Sequence, residues 1–137
     1  MIETKKAEVD FFIHATEDEE KVLKAVKEGL GISKEAEISR LYGHYGNPIL
    51  RVRFTFKKEE ADELLRRILQ NLKEGDKNAI LLDLDISVDG SGRFFLRLDK
   101  QKLVEGGFTV GKKDPIRIKF LIKGGKERAK EYVRRFL

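Results

Sequence analysis

Apolar and polar residues alternate along residues 7–14, with Ala7, Val9, Phe11 and Ile13 set against Glu8, Asp10, Phe12 and His14. A period of two predicts a strand with one buried face. Thr16 then opens a helix, because Thr16 and Glu19 have the spacing of a capping box. Val22, Leu23, Val26 and Leu30 give that helix an apolar stripe, and Gly31 is its stop. Residues 38–42 read as a second strand, and residues 43–48 (Gly-His-Tyr-Gly-Asn-Pro) as a loop. Residues 49–56 alternate again: Leu50, Val52, Phe54 and Phe56 face one way, Arg51, Arg53 and Thr55 the other.

Residues 58–72 carry Ala61, Leu64, Leu65, Ile68 and Leu72 at helical spacing. The segment 76–85 is ambiguous. Ala79, Leu82 and Ile86 suit a helix, whereas Leu82, Leu84 and Ile86 suit a strand; a short helix is preferred. Residues 89–92 (Asp-Gly-Ser-Gly) make a turn into a strand over 93–98. A short helix is expected over 99–104, with Asp99 as its N-cap. The last strand covers 115–123, with Ile116, Ile118, Phe120 and Ile122 opposing Arg117, Lys119 and Leu121. A closing helix over 126–137 turns Ala129, Tyr132, Val133 and Phe136 inward.

The predicted order is β-α-β-β-α-(α)-β-β-α. Clean alternation in each strand implies an antiparallel sheet with helices on one face and water on the other, an α+β fold. The length of 137 residues fits one domain with one core, and no repeat or low-complexity tract divides it.

Composition narrows the function classes. Cysteine is absent, which excludes disulfides and thiolate metal sites. No apolar run resembles a signal peptide or a membrane span, so a cytoplasmic protein without membrane partners is expected. Charged residues make up 39% of the chain while Asn and Gln are few, a balance typical of hyperthermophiles. The net charge of +5 suits a polyanionic partner, so the placement of the charges decides.

The outward strand positions collect Arg51, Arg53, Arg93, Phe95, Arg97, Arg117 and Lys119, with Phe12, His14 and Leu121 among them and the acids Glu8 and Asp10 on the first strand. If the strands share one sheet, a basic surface with exposed aromatic rings results. Single-stranded or structured RNA suits such a surface: arginine pairs with phosphates, and rings stack on unpaired bases. The alternatives are a solubilising sheet face, or an apolar contact patch formed by Phe12, Phe95 and Leu121 in an assembly subunit that does not itself touch RNA. In the 43–48 loop, His44, Tyr45 and Asn47 offer stacking and hydrogen bonds near Arg51; a plain hairpin connection is the other reading. Lys100 and Gln101 could reach phosphate and base edges, although a simple helix start accounts for them locally.

Catalytic signals are thin. His14 and His44 are the only histidines, and a metal-free ribonuclease would need one of them, with Lys100, to act in acid–base chemistry. Asp83, Asp85 and Asp89 lack the spacing of a calcium loop, and residues 90–92 (Gly-Ser-Gly) are too short for a phosphate loop. The basic residues of the closing helix suit its dipole. No metal, cofactor or enzymatic activity is expected.

Three stretches together resemble a known family: residues 13–18 (Ile-His-Ala-Thr-Glu-Asp), residues 43–49 (Gly-His-Tyr-Gly-Asn-Pro-Ile) and residues 95–101 (Phe-Leu-Arg-Leu-Asp-Lys-Gln). In order and separation they are similar to those of small archaeal RNA-binding proteins described as predicted exosome subunits. That family is similar in fold to the ribosomal large-subunit protein that binds five-S RNA. The resemblance implies RNA binding rather than catalysis, with exosome or ribosomal components as further partners. It implies a site at His44, Asn47, Arg97, Lys100 and Gln101, while Tyr45 fills a variable position of the loop.

Overall fold

The computed structural model describes residues 2–43 and 45–137. Five strands form one antiparallel sheet: β1 (Thr4–Ile13), β2 (Glu37–Tyr42), β3 (Pro48–Lys57), β4 (Arg93–Asp99) and β5 (Pro115–Ile122). Their spatial order is β2-β3-β1-β5-β4, so the first strand lies at the centre. The helices are α1 (Glu19–Leu30), α2 (Lys58–Asn71), α3 (Glu74–Leu82), α4 (Leu84–Ser87), α5 (Lys100–Val104) and α6 (Gly125–Arg134).

The alternation in the sequence is the alternation in burial. Val9, Phe11, Val52, Phe54, Phe94, Ile116 and Phe120 are buried on one side of the sheet. Val22, Val26 and Leu30 of α1, Leu65, Ile68 and Leu69 of α2, and Ala129 and Val133 of α6 pack against them in one continuous core. Among the described residues, no helix packs on the other side of the sheet. Gly31 ends α1 in a left-handed conformation (φ 68°), returning its amide to Glu28 and Lys27 carbonyls.

Some local expectations are revised. The N-cap of α1 is Asp18, which accepts from the Lys21 amide, and not Thr16. The reason is a turn inserted before the helix, in which Glu17 N–H donates to the His14 carbonyl and Glu17 Oε1 accepts from His14 N–H. The ambiguous segment is helical, but with another face inward. Ile80 and Leu84 are buried, whereas Ala79, Leu82 and Ile86 are exposed. The short turn α4 and helix α5 complete the order, and Asp99 caps α5 as expected, accepting from the Lys102 amide.

A buried carboxylate ties the layers together. Asp62 of α2 accepts from Thr4 Oγ1 at 2.8 Å and from the Tyr132 hydroxyl at 2.5 Å, and pairs with Arg66 Nε at 3.0 Å. Burial and the neighbouring Asp62 push the Tyr132 hydroxyl up to about 12. No helix among the described residues is long and apolar enough to cross a membrane.

Candidate nucleic-acid interface

Antiparallel register decides which outward side chains meet, because residues directly opposite share a face. One row crosses the whole open face with a residue from every strand: Glu37, Arg53, Asp10, Arg117 and Arg97. Beside it run Ser39, Arg51 and Phe12 on one side, and Thr55, Glu8, Lys119 and Phe95 on the other. Acid and base alternate from β2 as far as β5. At β4 the alternation fails, and Arg97 stands opposite Arg117.

Asp10 organises the centre. Its oxygens accept from Arg51 Nε at 3.0 Å and Nη2 at 3.1 Å, a bidentate pair, and from Arg117 Nη2 at 3.1 Å. Burial pushes its carboxyl up, but the Arg51 hydrogen bond and the charges of Arg117, Arg51 and Arg53 outweigh that and hold it below the ordinary 3.8. Arg117 also lies over the Phe12 ring, 5.1 Å from its centre. Glu8 Oε1 is 3.3 Å from Arg53 Nε. That N–H is not aligned into a hydrogen bond, and among the described residues it is the one buried side-chain polar atom without such a partner.

A depressed carboxyl pKa contributes stability that is present above the unfolded value and lost as pH falls through the folded one. Stability is therefore expected to decline below about pH 4, and Asp10→Asn should flatten part of that decline. At neutral pH the same variant is expected to lose about 1–2 kcal/mol, because Arg51 and Arg117 keep no carboxylate but remain partly hydrated. Urea unfolding of both proteins at pH 7 and pH 3 measures both effects; parallel losses at the two pH values would count against them.

The predicted residues fall into three groups. Arg51, Arg53 and Arg117 are on the open face but engaged by Asp10 and Glu8. Phe95, Arg97 and Lys119 are on the same face and exposed, Phe95 at 46%, and among the described residues neither Arg97 nor Lys119 has a carboxylate partner. Arg93 lies at the start of β4, turned to Ser91 Oγ (2.8 Å) and Asp89 (3.6 Å).

Of the remaining predicted residues, Tyr45, Asn47, Lys100 and Gln101 gather at one end of the sheet. There β1, β2 and β4 end and β3 and β5 begin, so the three stretches that carry the family resemblance converge. Tyr45 and Asn47 are exposed between β2 and β3, where the Gly43 amide donates to the Asn47 carbonyl. His44 lies outside the described residues. Gln101 is exposed on α5 and donates to Glu105 Oε1 at 3.2 Å.

Lys100 differs from the expectation. It is 2% exposed, and its ammonium donates to the Phe12 carbonyl at 2.7 Å and to Glu17 Oε1 at 2.8 Å, with Asp114 Oδ2 at 2.7 Å. All three of its donors are occupied, so it joins β1, the turn before α1 and the segment leading into β5 instead of presenting charge to a phosphate. His14 Nε2 completes the cluster, 3.2 Å from Asp114 Oδ1. Among the described residues, His14, Glu17 and Asp114 bring metal-ligating atoms within 4.8 Å of one another. The Lys100 ammonium bridges the two carboxylates, so the positive charge that a metal ion would supply is already present.

The contact patch expected from Phe12, Phe95 and Leu121 is not a continuous apolar surface. Phe12 and Leu121 are half-buried among charged neighbours. Sequence reasoning gave no role to Asp10, Glu17 or Asp114, whose partners come from distant parts of the chain.

A family model described as RNA binding matches residues 6–122. A protein of Pyrococcus abyssi named as an RNA-binding protein is 34% identical over 122 residues, 82% of this chain and 77% of that one. An uncharacterized protein of Methanocaldococcus jannaschii is 34% identical over 111 residues, 76% of this chain and 74% of that one. The solved structure of a Methanothermobacter thermautotrophicus protein matches with a TM-score of 0.80 and 27% identity, over 98% of each chain.

Proposed function

The chain belongs to the RNA-binding family whose model spans residues 6–122, and from that membership we propose that it acts as one non-catalytic RNA-binding domain, using the open face of its sheet. The observation that carries this reading is the uncompensated positive charge at the β4–β5 side. Arg97, without a carboxylate partner among the described residues, faces Arg117, whose one acid, Asp10, is shared with Arg51, so positive charge stays in excess and the two cations repel. A phosphate backbone relieves that repulsion. Lys119 and the exposed Phe95, opposite one another in the next row, add a second cation and a stacking ring. Arg51, Arg53, Arg93 and Arg117 contribute field as parts of ion pairs, and Tyr45, Asn47 and Gln101 extend the surface past the end of the sheet.

A role in RNA processing, with an exosome or ribosomal component as further partner in the cytoplasm, rests on the resemblance of the three stretches. A second reading, docking in a protein assembly, is favoured by α3 and α4, where Leu82 and Ile86 are 86% and 85% exposed. The test is an anisotropy titration of the purified protein against labelled structured and single-stranded RNA at several salt concentrations. Affinity whose logarithm falls linearly with the logarithm of salt supports phosphate binding. No binding at low salt, with a stoichiometric protein partner retained after nuclease treatment, would favour the assembly reading.

A further inference from the structure

Strand β2 is uncovered on both faces and along its outer edge. It is the edge of the sheet, and all six of its residues are exposed. Its register places Ile38 and Arg40 opposite Val52 and Leu50, and Tyr42 opposite Pro48. Val52 and Leu50 are buried on the helix side of the sheet, so Ile38, Arg40 and Tyr42 point to that side too. There the neighbouring strand is roofed and β2 is not: Ile38 is 45% and Tyr42 70% exposed.

The charge of this arm is one-sided. Residues 38–58 contain Arg40, Arg51, Arg53, Lys57 and Lys58 but no aspartate or glutamate, in a chain with 24 acids among 137 residues. Arg51 and Arg53 turn to the open face, where Asp10 and Glu8 pair them, whereas Arg40 turns to the helix side and has no carboxylate partner among the described residues. Past Glu37 at the start of β2, a segment of positive charge with exposed Tyr42 and Tyr45 fits a polyanion with π-faces. A second copy paired through β2 is the competing occupant; it would place Arg40 opposite Arg40 in one central register and opposite Ile38 in the other, and the experiment below separates it from RNA.

We propose that RNA passes round the edge of the sheet, and that Arg40 and Tyr42 on the helix side of β2 hold phosphate and an unpaired base beyond the open face. The inference rests on the RNA-binding reading above and extends it to the class of RNA. Bases stacked within an A-form duplex offer no free face to a tyrosine, and its major groove is too deep and narrow for side chains to read. The bound element is therefore a loop, bulge or single strand, whose bases can be splayed out. Phosphates lie along Arg97, Lys119 and the face, and the base that turns the edge stacks on Tyr42.

The experiment compares a fluorescein-labelled stem-loop RNA with the blunt duplex of the same stem. Tyr42→Ala is expected to weaken stem-loop binding roughly tenfold, and Tyr42→Phe to leave it within about twofold, since stacking needs the ring and not the hydroxyl. Arg40→Ala should lower the salt slope by about 0.7, the value for one phosphate of a single strand. Duplex binding should not change. Because both side chains are exposed, circular dichroism should report an unaltered fold. If the unaltered protein binds the stem-loop and all three variants bind equally well, the inference is overturned while the open-face reading stands. If the unaltered protein binds no RNA, both fail. A wild-type dimer by light scattering that Tyr42→Ala dissociates, with RNA affinity unchanged, would instead assign β2 to a contact between copies.

Discussion

Replacing Arg97 and Lys119 together by glutamate is expected to weaken RNA binding on the order of a hundredfold or more at low salt. Each change removes a cation of the proposed interface and adds a charge that repels phosphate; charge-assisted contacts of this kind are worth about 1.5–3 kcal/mol apiece. For a single strand the salt slope should flatten by about 1.4, twice the value for one phosphate. The fold should survive. Arg97 opposes Arg117, so glutamate at position 97 makes an attractive cross-strand pair, which offsets the repulsion that glutamate at position 119 introduces opposite Glu8. Lys24→Glu, on the exposed side of α1, changes the net charge by the same amount per site but lies away from the open sheet face. Its effect on affinity should be small. Equal affinity and equal slope in the unaltered protein and the double variant would remove the β4–β5 half of the face from the interface.

Lys100→Met should act on stability and not on RNA. It leaves the Phe12 carbonyl, Glu17 and Asp114 without their shared donor. Breaking a buried ion pair from one side costs about 3–5 kcal/mol. Because Glu17 and Asp114 are 21% and 39% exposed at their side chains, water partly replaces the lysine. About 3 kcal/mol is therefore expected, or a fall in Tm on the order of 10 °C. Affinity and salt slope measured well below that transition should match the unaltered protein. The opposite pattern, intact stability with a slope reduced by about 0.7, would return Lys100 to the phosphate contacts that its position in the Asp-Lys-Gln stretch suggests. Lys100→Met thus separates a lysine that binds RNA from one that holds together the end of the sheet where RNA-binding candidates gather.

The faces of the strands were legible because a period of two is local. Arg51, Arg53, Arg97 and Lys119 could each be assigned to the open side from a few neighbours. The order of the strands was not legible. Whether Asp10 lies between Arg53 and Arg117 depends on β1 pairing with β5, more than a hundred residues away, and no local pattern encodes that. The same distance hid Lys100: in its own segment it is an ordinary helix-start lysine, and only Glu17 and Asp114 make it a buried one. In α3 and α4 the apolar residues are dense enough to suit several faces. The break at Asp83 turned Ile80 and Leu84 inward and left Leu82 and Ile86 in water. The β2 edge was read only as a strand, because exposure on both faces is a property of what fails to pack on it.

The central place of β1 has a consequence for how the protein is made. The strand at residues 4–13 leaves the ribosome before the other four strands of the sheet, yet one of its two neighbours, β5, is at residues 115–122. Through most of synthesis β1 can pair with β3 alone, and its other edge stays open to whatever strand arrives. The sheet cannot be complete until β5 takes its place between β1 and β4. Long-range closure of this kind is slow compared with helix formation, and an unpaired central strand is a site for wrong pairing until it is complete. A ribosome that stalls before residue 115 would hold a nascent chain whose β1 presents a row of unpaired backbone N–H and C=O groups along one edge.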